Sequence, residues 1–183
     1  MSGGPTDGTV EVVPYDSTWP ASFEVERVAL SAAMPCALSI EHIGSTSVQG
    51  LASKPTLDIL VVVPSVADVV ACVGALEAIG YDYRGPRDGE HHQFFRKVSV
   101  GKRTHHLHVL TAGSSEPDEY RLFREFLVAV PSAAARYEAY KWELAAAHAN
   151  ERMAYVSAKE KFVDGLMIEA EAWSAARRIG EAT

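Results

Sequence analysis

The chain has 183 residues and a formal net charge of -7, and 48% of its residues are apolar and 22% charged. This composition is typical of a folded globular domain and excludes a disordered chain. The acidic charge argues against a protein that coats nucleic acid or an anionic membrane, since such binding needs a broad cationic face.

The first half of the chain predicts alternating helices and strands. We expect a disordered tail at residues 1–9, and no stretch approaches the ~20 apolar residues of a membrane span. The predicted elements are a helix from Trp19 to Met34, strands at 37–43 and 57–63, and a helix at 66–79. The run 57–63 is almost entirely apolar and β-branched, which indicates a strand buried on both faces.

The second half begins with strands and ends with helices. Residues 81–90 are rich in Gly and Pro and predict a mobile loop. Two strands at 92–100 and 105–110 should follow and form a hairpin. Three helices are then predicted, at 118–130, 132–148 and 151–178. The pattern predicts one α+β domain over residues 10–180, with a C-terminal helical layer, in a cytoplasmic protein.

A turn between the first two strands has the residue types of an anion site. Gly44 lets the backbone approach a ligand, and the hydroxyl and amide groups of Ser45 and Thr46 form a nest for an anion. Lys54 adds a positive charge, and Asp58 could hold a divalent cation beside the anion. The alternative is a tight strand-to-helix turn with a solvated lysine.

Five of the seven histidines lie in the predicted hairpin. Strand alternation places His106 and His108 on one face, where Asp58 could lie across from them. Two imidazoles and one carboxylate would suit Mn, Fe or Zn better than Mg. The alternative for each histidine is a hydrogen-bonded side chain on a half-buried strand.

Cationic residues recur on the late helices, at Arg121, Arg124, Lys141 and Lys159. As a group they would supply a local positive field, whereas for each residue alone a solvated helix face is the favoured explanation. The two cysteines, Cys36 and Cys72, have no metal or redox spacing, so neither a disulfide framework nor a zinc site is predicted.

The segment from Glu41 to Ile59, read as EHIGSTSVQGLASKPTLDI, resembles the central motif of the GrpB family, a branch of the nucleotidyltransferase superfamily. The resemblance implies a nucleotidyltransferase-like mixed β-sheet of the polymerase-beta type, flanked by helices. In that superfamily a Gly-Ser pair opens the site, and a strand then presents two carboxylates spaced by one residue. Gly44 and Ser45 match the pair and Asp58 matches the first carboxylate, but Leu60 stands at the second.

The resemblance implies a metal-dependent nucleotidyltransferase that binds a nucleoside triphosphate and modifies a small acceptor, with no extended nucleic acid or membrane as a partner. The implied metal is Mg or Mn, with Zn or Fe as alternatives, and a homodimer contact near Trp173 is considered. The implied roles are metal binding by Asp58, His106 and His108, catalysis by Asp58, Lys54 and His42, and phosphate binding by Gly44, Ser45, Thr46, Arg121, Arg124, Lys141 and Lys159.

Two other functions remain open from the sequence. The first is a binding module that has lost its catalytic acids and holds a nucleotide or a phosphorylated metabolite, as Leu60 suggests. The second is a metal-dependent hydrolase or phosphotransferase that uses Asp58, His106 and His108 directly.

Overall fold

The computed structural model describes residues 10–181, and the tail predicted at residues 1–9 lies outside this range. The elements in chain order are α1 Trp19–Ala33, β1 Ser39–Ile43, a 3-10 turn at Ser45–Ser47, β2 Leu57–Val63, α2 Val66–Ala78, β3 Tyr81–Pro86, β4 His92–Ser99, β5 Lys102–Thr111, α3 Glu116–Ala129, α4 Pro131–Ala147 and α5 Arg152–Glu181. The predicted α+β class is confirmed.

The five strands form one mixed sheet in the order β1-β2-β5-β4-β3. Strands β2 and β5 are parallel, and the other neighbouring pairs are antiparallel. The parallel register places Asp58 opposite His106, while the antiparallel register pairs Asp58 with Ile43 on β1. The turn that follows Ile43 is therefore held beside Asp58.

The two faces of the sheet have different neighbours. Ile59, Val61 and Leu107 lie on the face that packs against α1 and α2, in the main core of the protein. Because side chains alternate along a strand, Asp58 and His106 lie on the opposite face, toward the C-terminal helices. Burial on both faces explains why β2 is apolar almost throughout.

The C-terminal helices form the predicted helical layer. Phe126 of α3, Tyr137 of α4 and Leu166 of α5 pack together with Val48, which follows the 3-10 turn. Trp173, where a homodimer contact was considered, packs against Phe126 of the same chain, with the ring centroids 5.9 Å apart. Within residues 10–181, no helix combines the length and apolar character needed to cross a membrane.

The prediction of a mobile loop at residues 81–90 is wrong for its first half. Residues Tyr81–Pro86 form the edge strand β3, which pairs with β4 through a register shift between Tyr83 and Gly85. Gly85 has a φ of 86° and lies at a bulge within the strand. This glycine contributed to the incorrect prediction of a loop. Pro86 ends the strand, where the loss of an N–H donor is tolerated.

Candidate functional site

Asp58 and His106 form the centre of the candidate site. The Asp58 carboxylate accepts a hydrogen bond from Nδ1 of His106 at 3.0 Å, and the Asp58 side chain is about one-third exposed. Burial by itself would raise the pKa of Asp58, but the hydrogen bond from His106 and nearby positive charges, including that of Lys159, hold it well below its ordinary value. The site therefore presents an ionised carboxylate.

The Gly44 turn packs directly against this carboxylate. Gly44 has a φ of 69°, and a β-carbon at this position would lie 2.5 Å from Oδ2 of Asp58. A glycine is therefore required both by the backbone and by the space available. The hydroxyl of Ser47 donates to the Gly44 carbonyl at 2.7 Å, which closes the turn, and Ser45 and Thr46 are buried within it.

His42 supports the turn from β1. Its Nε2 lies 2.9 Å from the hydroxyl of Thr46, and its ring stacks on Phe23 with centroids 4.9 Å apart. Burial lowers the pKa of His42 to about 4. The charge of Asp58 raises this pKa and the charge of Arg124 lowers it, and both effects are smaller than that of burial. A neutral imidazole held in this way orients Thr46.

Three lysines lie within electrostatic range of Asp58, two on the C-terminal helices and one in the segment before β2. Lys141 is only 2% exposed, and it donates to the carbonyl of Ala52. The Nζ of Lys54 lies 4.9 Å from the centroid of the Tyr155 ring. Lys159 lies within electrostatic range of Asp58 and of Lys54.

The pKa values of the three lysines reflect their burial and the charges around them. Burial, and then the charge of Lys159, lowers the pKa of both Lys54 and Lys141 to about 7. The pKa of Lys159 is raised, first by Tyr137 and also by Asp58, against the effect of burial. Three lysines near one carboxylate leave a cationic site that would be stabilised by an anion.

His108 does not meet His106 and Asp58 at one point. Its Nδ1 faces Nε2 of His92 at 3.0 Å and the Tyr120 hydroxyl at 3.3 Å, and burial lowers its pKa to about 3. Among residues 10–181, no group of three or more His, Cys, Asp or Glu side chains is arranged to hold a metal ion. The predicted three-ligand set of Asp58, His106 and His108 is therefore not assembled, and Nδ1 of His108 is directed at His92 on β4.

The two arginines of α3 bind the end of β1. Arg121 makes hydrogen bonds to the Glu41 carboxylate, the shortest at 2.6 Å, and to Asp118 at 2.8 Å. Arg124 donates to the carbonyl of His42 at 2.9 Å and lies 3.6 Å from Glu41. The hydrogen bonds of Arg121 also lower the pKa of Glu41. These arginines hold α3 against β1, and the structure does not bring them together with the lysines.

Tyrosines adjacent to the lysines are part of the site and were not predicted. The Lys141 Nζ lies 4.4 Å from the Tyr137 ring, and Lys54 lies over Tyr155. The signal was present in the sequence: Tyr137 and Lys141 on α4, and Tyr155 and Lys159 on α5, share a Tyr-x-x-x-Lys spacing. Side chains four residues apart lie on one face of a helix, so each pair presents an aromatic ring beside an ammonium group.

A cavity of about 450 Å³ lies beside the site, without containing Asp58 or the lysines. Its walls are mostly apolar and come from the segment 48–51, from α3 and from α4. Glu138 contributes to the wall and also accepts a hydrogen bond of 3.3 Å from the Ala52 amide, whose carbonyl is bound by Lys141. The charged groups around Asp58 therefore lie outside this cavity.

The family model described as "GrpB protein" matches residues 9–169 of the chain. The UPF0157 protein PA4798 of Pseudomonas aeruginosa is 38% identical over 162 residues, which are 86% of this chain and 66% of that protein. The chain spans between about half and two thirds of the length of the first curated relatives that it matches, at 49% and 66%.

Among solved structures, the conserved protein GrpB from Enterococcus faecalis superposes with a TM-score of 0.83 at 34% identity, over 89% of this chain and 99% of that chain. Cid1 poly(U) polymerase bound to MgGTP superposes with a TM-score of 0.40 at 14% identity, over 67% of this chain and 44% of that chain. The high similarity to the first structure confirms the architecture, and the second is too distant to add to it.

Proposed function

The chain belongs to the GrpB family, and on this premise we propose that it binds the phosphates of a nucleoside triphosphate beside Asp58 and transfers a nucleotidyl group to a small acceptor. One observation carries the proposal. Lys54, Lys141 and Lys159 all lie within electrostatic range of the Asp58 carboxylate, in a protein whose net charge is -7.

The physical argument concerns charge that is buried and incompletely balanced. A buried ammonium group is costly unless it is paired and hydrogen-bonded. Asp58 offers one negative charge to three lysines, and Glu138 adds a second near Lys141. Phosphate oxygens would supply the missing negative charge and several acceptors for charge-assisted hydrogen bonds. The lysines would then neutralise the charge that develops on the phosphate oxygens during transfer.

The turn after β1 supplies the other side of the proposed phosphate site. Gly44 brings the backbone against Asp58, and the hydroxyl of Thr46 is held in place by His42. A ligand bound here would contact both the turn and the lysines. In this proposal the phosphates are positioned by Gly44, Ser45 and Thr46. Lys54 contacts the ligand directly, whereas His42 acts on it through Thr46.

The donor set fits a divalent cation that arrives with the nucleotide. Magnesium is commonly held by one or two carboxylates together with substrate phosphates, and Mn²⁺ is held by similar oxygen ligands. Asp58 would be the carboxylate ligand, with His106 fixing its orientation. Such a cation would supply charge stabilisation at the phosphate oxygens. Tight zinc or iron binding by the protein alone does not fit, because within residues 10–181 Asp58, His106 and His108 are not arranged as a group that could hold a metal ion.

A second candidate function is nucleotide or phosphometabolite binding without transfer, and Leu60 favours it. Leu60 is fully buried and packs with Ile43, Val62 and Leu110, where the nucleotidyltransferase pattern has a second carboxylate. Chemistry that uses two metal ions needs more carboxylates than this strand provides. Both functions require a phosphorylated ligand at this site, but only the first includes transfer of a nucleotidyl group.

One experiment separates them. Protein is incubated with α-³²P-labelled nucleoside triphosphates, Mn²⁺ and pools of small acceptors, and pyrophosphate release and label transfer are measured. Transfer is expected for the wild-type protein and absent in Asp58→Ala. Binding without pyrophosphate release would establish the second function, and the absence of both would refute the proposed ligand.

A further inference from the structure

Cys36 and Cys72 meet on the side of the molecule away from Asp58. Their Sγ atoms are 3.6 Å apart, although 36 positions separate them along the chain. Cys36 is half-buried in the connection between α1 and β1, and Cys72 is buried on α2 within the main core. No role in the proposed nucleotide site accounts for this contact.

The surroundings of the two thiols allow a bond between them. A disulfide requires the sulfur atoms to approach to about 2.05 Å, so the pair must close by roughly 1.5 Å. Cys36 lies between Pro35 and Ala37 in a turn outside regular secondary structure, where its side chain can rotate toward α2. Cys72 is held in place by the helix, and its sulfur already faces Cys36.

We propose that Cys36 and Cys72 form a thiol modification site that a peroxide oxidises to an intramolecular disulfide. The half-buried Cys36 thiol ionises, and its thiolate attacks a peroxide oxygen. The O–O bond breaks to give a sulfenic acid and a hydroxide ion, which takes up the proton released by the thiol and becomes water. The sulfur of Cys72 then displaces the sulfenic oxygen, which leaves as a second water with the Cys72 proton. Two thiols are oxidised by two electrons and one hydrogen peroxide is reduced to two waters.

The order of reaction follows from the two environments. Burial, and then the Cys36 thiol beside it, raises the pKa of Cys72 to about 11. The thiolate is the reactive form of cysteine, so Cys72 reacts slowly with an oxidant from solvent. Cys36 is the more accessible sulfur and is oxidised first, after which the adjacent Cys72 completes the disulfide.

The bond would enclose the candidate site in a covalent loop. Residues 36 to 72 include β1, the Gly44 turn, Lys54, β2 and Asp58. Closing this loop restricts the unfolded chain and so stabilises the folded protein. Because Cys72 packs on the α1 and α2 side of the sheet, oxidation leaves the face that carries Asp58 unobstructed.

The test uses hydrogen peroxide on the full chain, with intact mass, thiol titration in denaturant and thermal unfolding as readouts. The expected result is a loss of 2 Da, no titratable thiol, a monomer on a non-reducing gel, and a rise in Tm of about 5–10 °C that dithiothreitol reverses. Cys36→Ser and Cys72→Ser are the controls and should not show the rise in Tm.

Three results would overturn the proposal: two thiols that persist at peroxide concentrations which oxidise a model thiol, sulfinic or sulfonic adducts on one cysteine, or dimers linked between chains. The same rise in Tm in Cys36→Ser would also contradict it. None of these outcomes depends on nucleotide binding, so the disulfide and the proposed function fail or succeed separately.

Discussion

His106 donates a hydrogen bond from Nδ1 to the Asp58 carboxylate at 3.0 Å, across the parallel pair formed by β2 and β5. The low pKa of Asp58 keeps the carboxylate ionised and therefore able only to accept, so Nδ1 of His106 carries the proton. The bond fixes the orientation of Asp58 toward the lysines and the Gly44 turn. The predictions below follow from this arrangement.

Asp58→Asn should remove the metal-dependent part of nucleotide affinity. The amide keeps the size of the side chain but loses the charge that would hold Mg²⁺ or Mn²⁺. Calorimetric titration should show that Mn²⁺ strengthens nucleotide binding by the wild-type protein and leaves binding by the variant unchanged. Far-UV circular dichroism checks that the fold is intact. An equal response to Mn²⁺ in both proteins would show that Asp58 does not hold the cation.

Lys54→Met should weaken phosphate binding by roughly 10- to 100-fold, the effect of losing one hydrogen bond to a charged group. The methionine retains most of the aliphatic stem, so packing near Tyr155 is largely preserved. Lys102→Met is the matched control, since the Lys102 side chain is 75% exposed and pairs with Glu11. Equal losses in the two variants would assign the effect to net charge.

Nucleotide affinity and the stability of the ligand-free protein should respond to pH in opposite directions. The pKa values of Lys54 and Lys141 are about 7 in the folded protein, below the ordinary lysine value of 10.5. Affinity for an anion should therefore fall as pH rises above about 7, because the lysines lose their charge.

The stability trend follows from the same shift. Between about pH 7 and 10.5 the unfolded chain binds more protons than the folded protein at these two lysines, so their contribution to stability rises with pH. Thermal unfolding of the ligand-free protein across this range, in wild type and in Lys54→Met, measures it. A wild-type curve no steeper than that of the variant would contradict the assigned pKa of Lys54.

Gly44→Ala should destabilise the protein more than Gly50→Ala. Both glycines have positive φ, 69° and 83°, and a residue with a side chain held at such a backbone conformation costs about 1–3 kcal/mol. Only at Gly44 would the new β-carbon also meet Oδ2 of Asp58, which adds about 1–3 kcal/mol of overpacking. Urea unfolding measures the difference in the free energy of unfolding. Equal effects would show that the Asp58 carboxylate yields freely to the methyl group.

His42 should contribute to the loss of stability in mild acid. Its pKa falls from 6.5 to about 4 on folding, so between these values the unfolded chain binds more protons and stability declines as pH falls. His42→Gln can retain a hydrogen bond to Thr46 without titrating. The Tm of this variant should fall less steeply from pH 6.5 to pH 4 than that of the wild type. Parallel curves would indicate that His42 does not titrate in this way.

The sequence predicted the local part of the site well. The apolar run of β2, the small-residue turn and the position of Asp58 follow from short-range pattern, and the observed strand spans Leu57–Val63 as expected. The prediction that Asp58 lies across from His106 required the parallel pairing of β2 with β5, and it is confirmed by their register.

Long-range contacts could not be derived in the same way. The pairing of Arg121 with Glu41 and the contact between Cys36 and Cys72 join residues 80 and 36 positions apart, and no spacing rule encodes them. His108 was grouped with His106 because they share a strand face. In the structure, Nδ1 of His108 lies 3.0 Å from Nε2 of His92 on the neighbouring strand β4.

The most direct test of the account is isothermal titration of the wild-type protein with nucleoside triphosphates in the presence of Mn²⁺, beside Lys159→Met and Lys102→Met. We expect a single site in the wild type, an affinity at least about tenfold weaker in Lys159→Met, and no change in Lys102→Met. An absence of binding by any nucleoside triphosphate, or an unchanged affinity in Lys159→Met, would contradict the assignment of this lysine-lined face of the sheet as a nucleotide site.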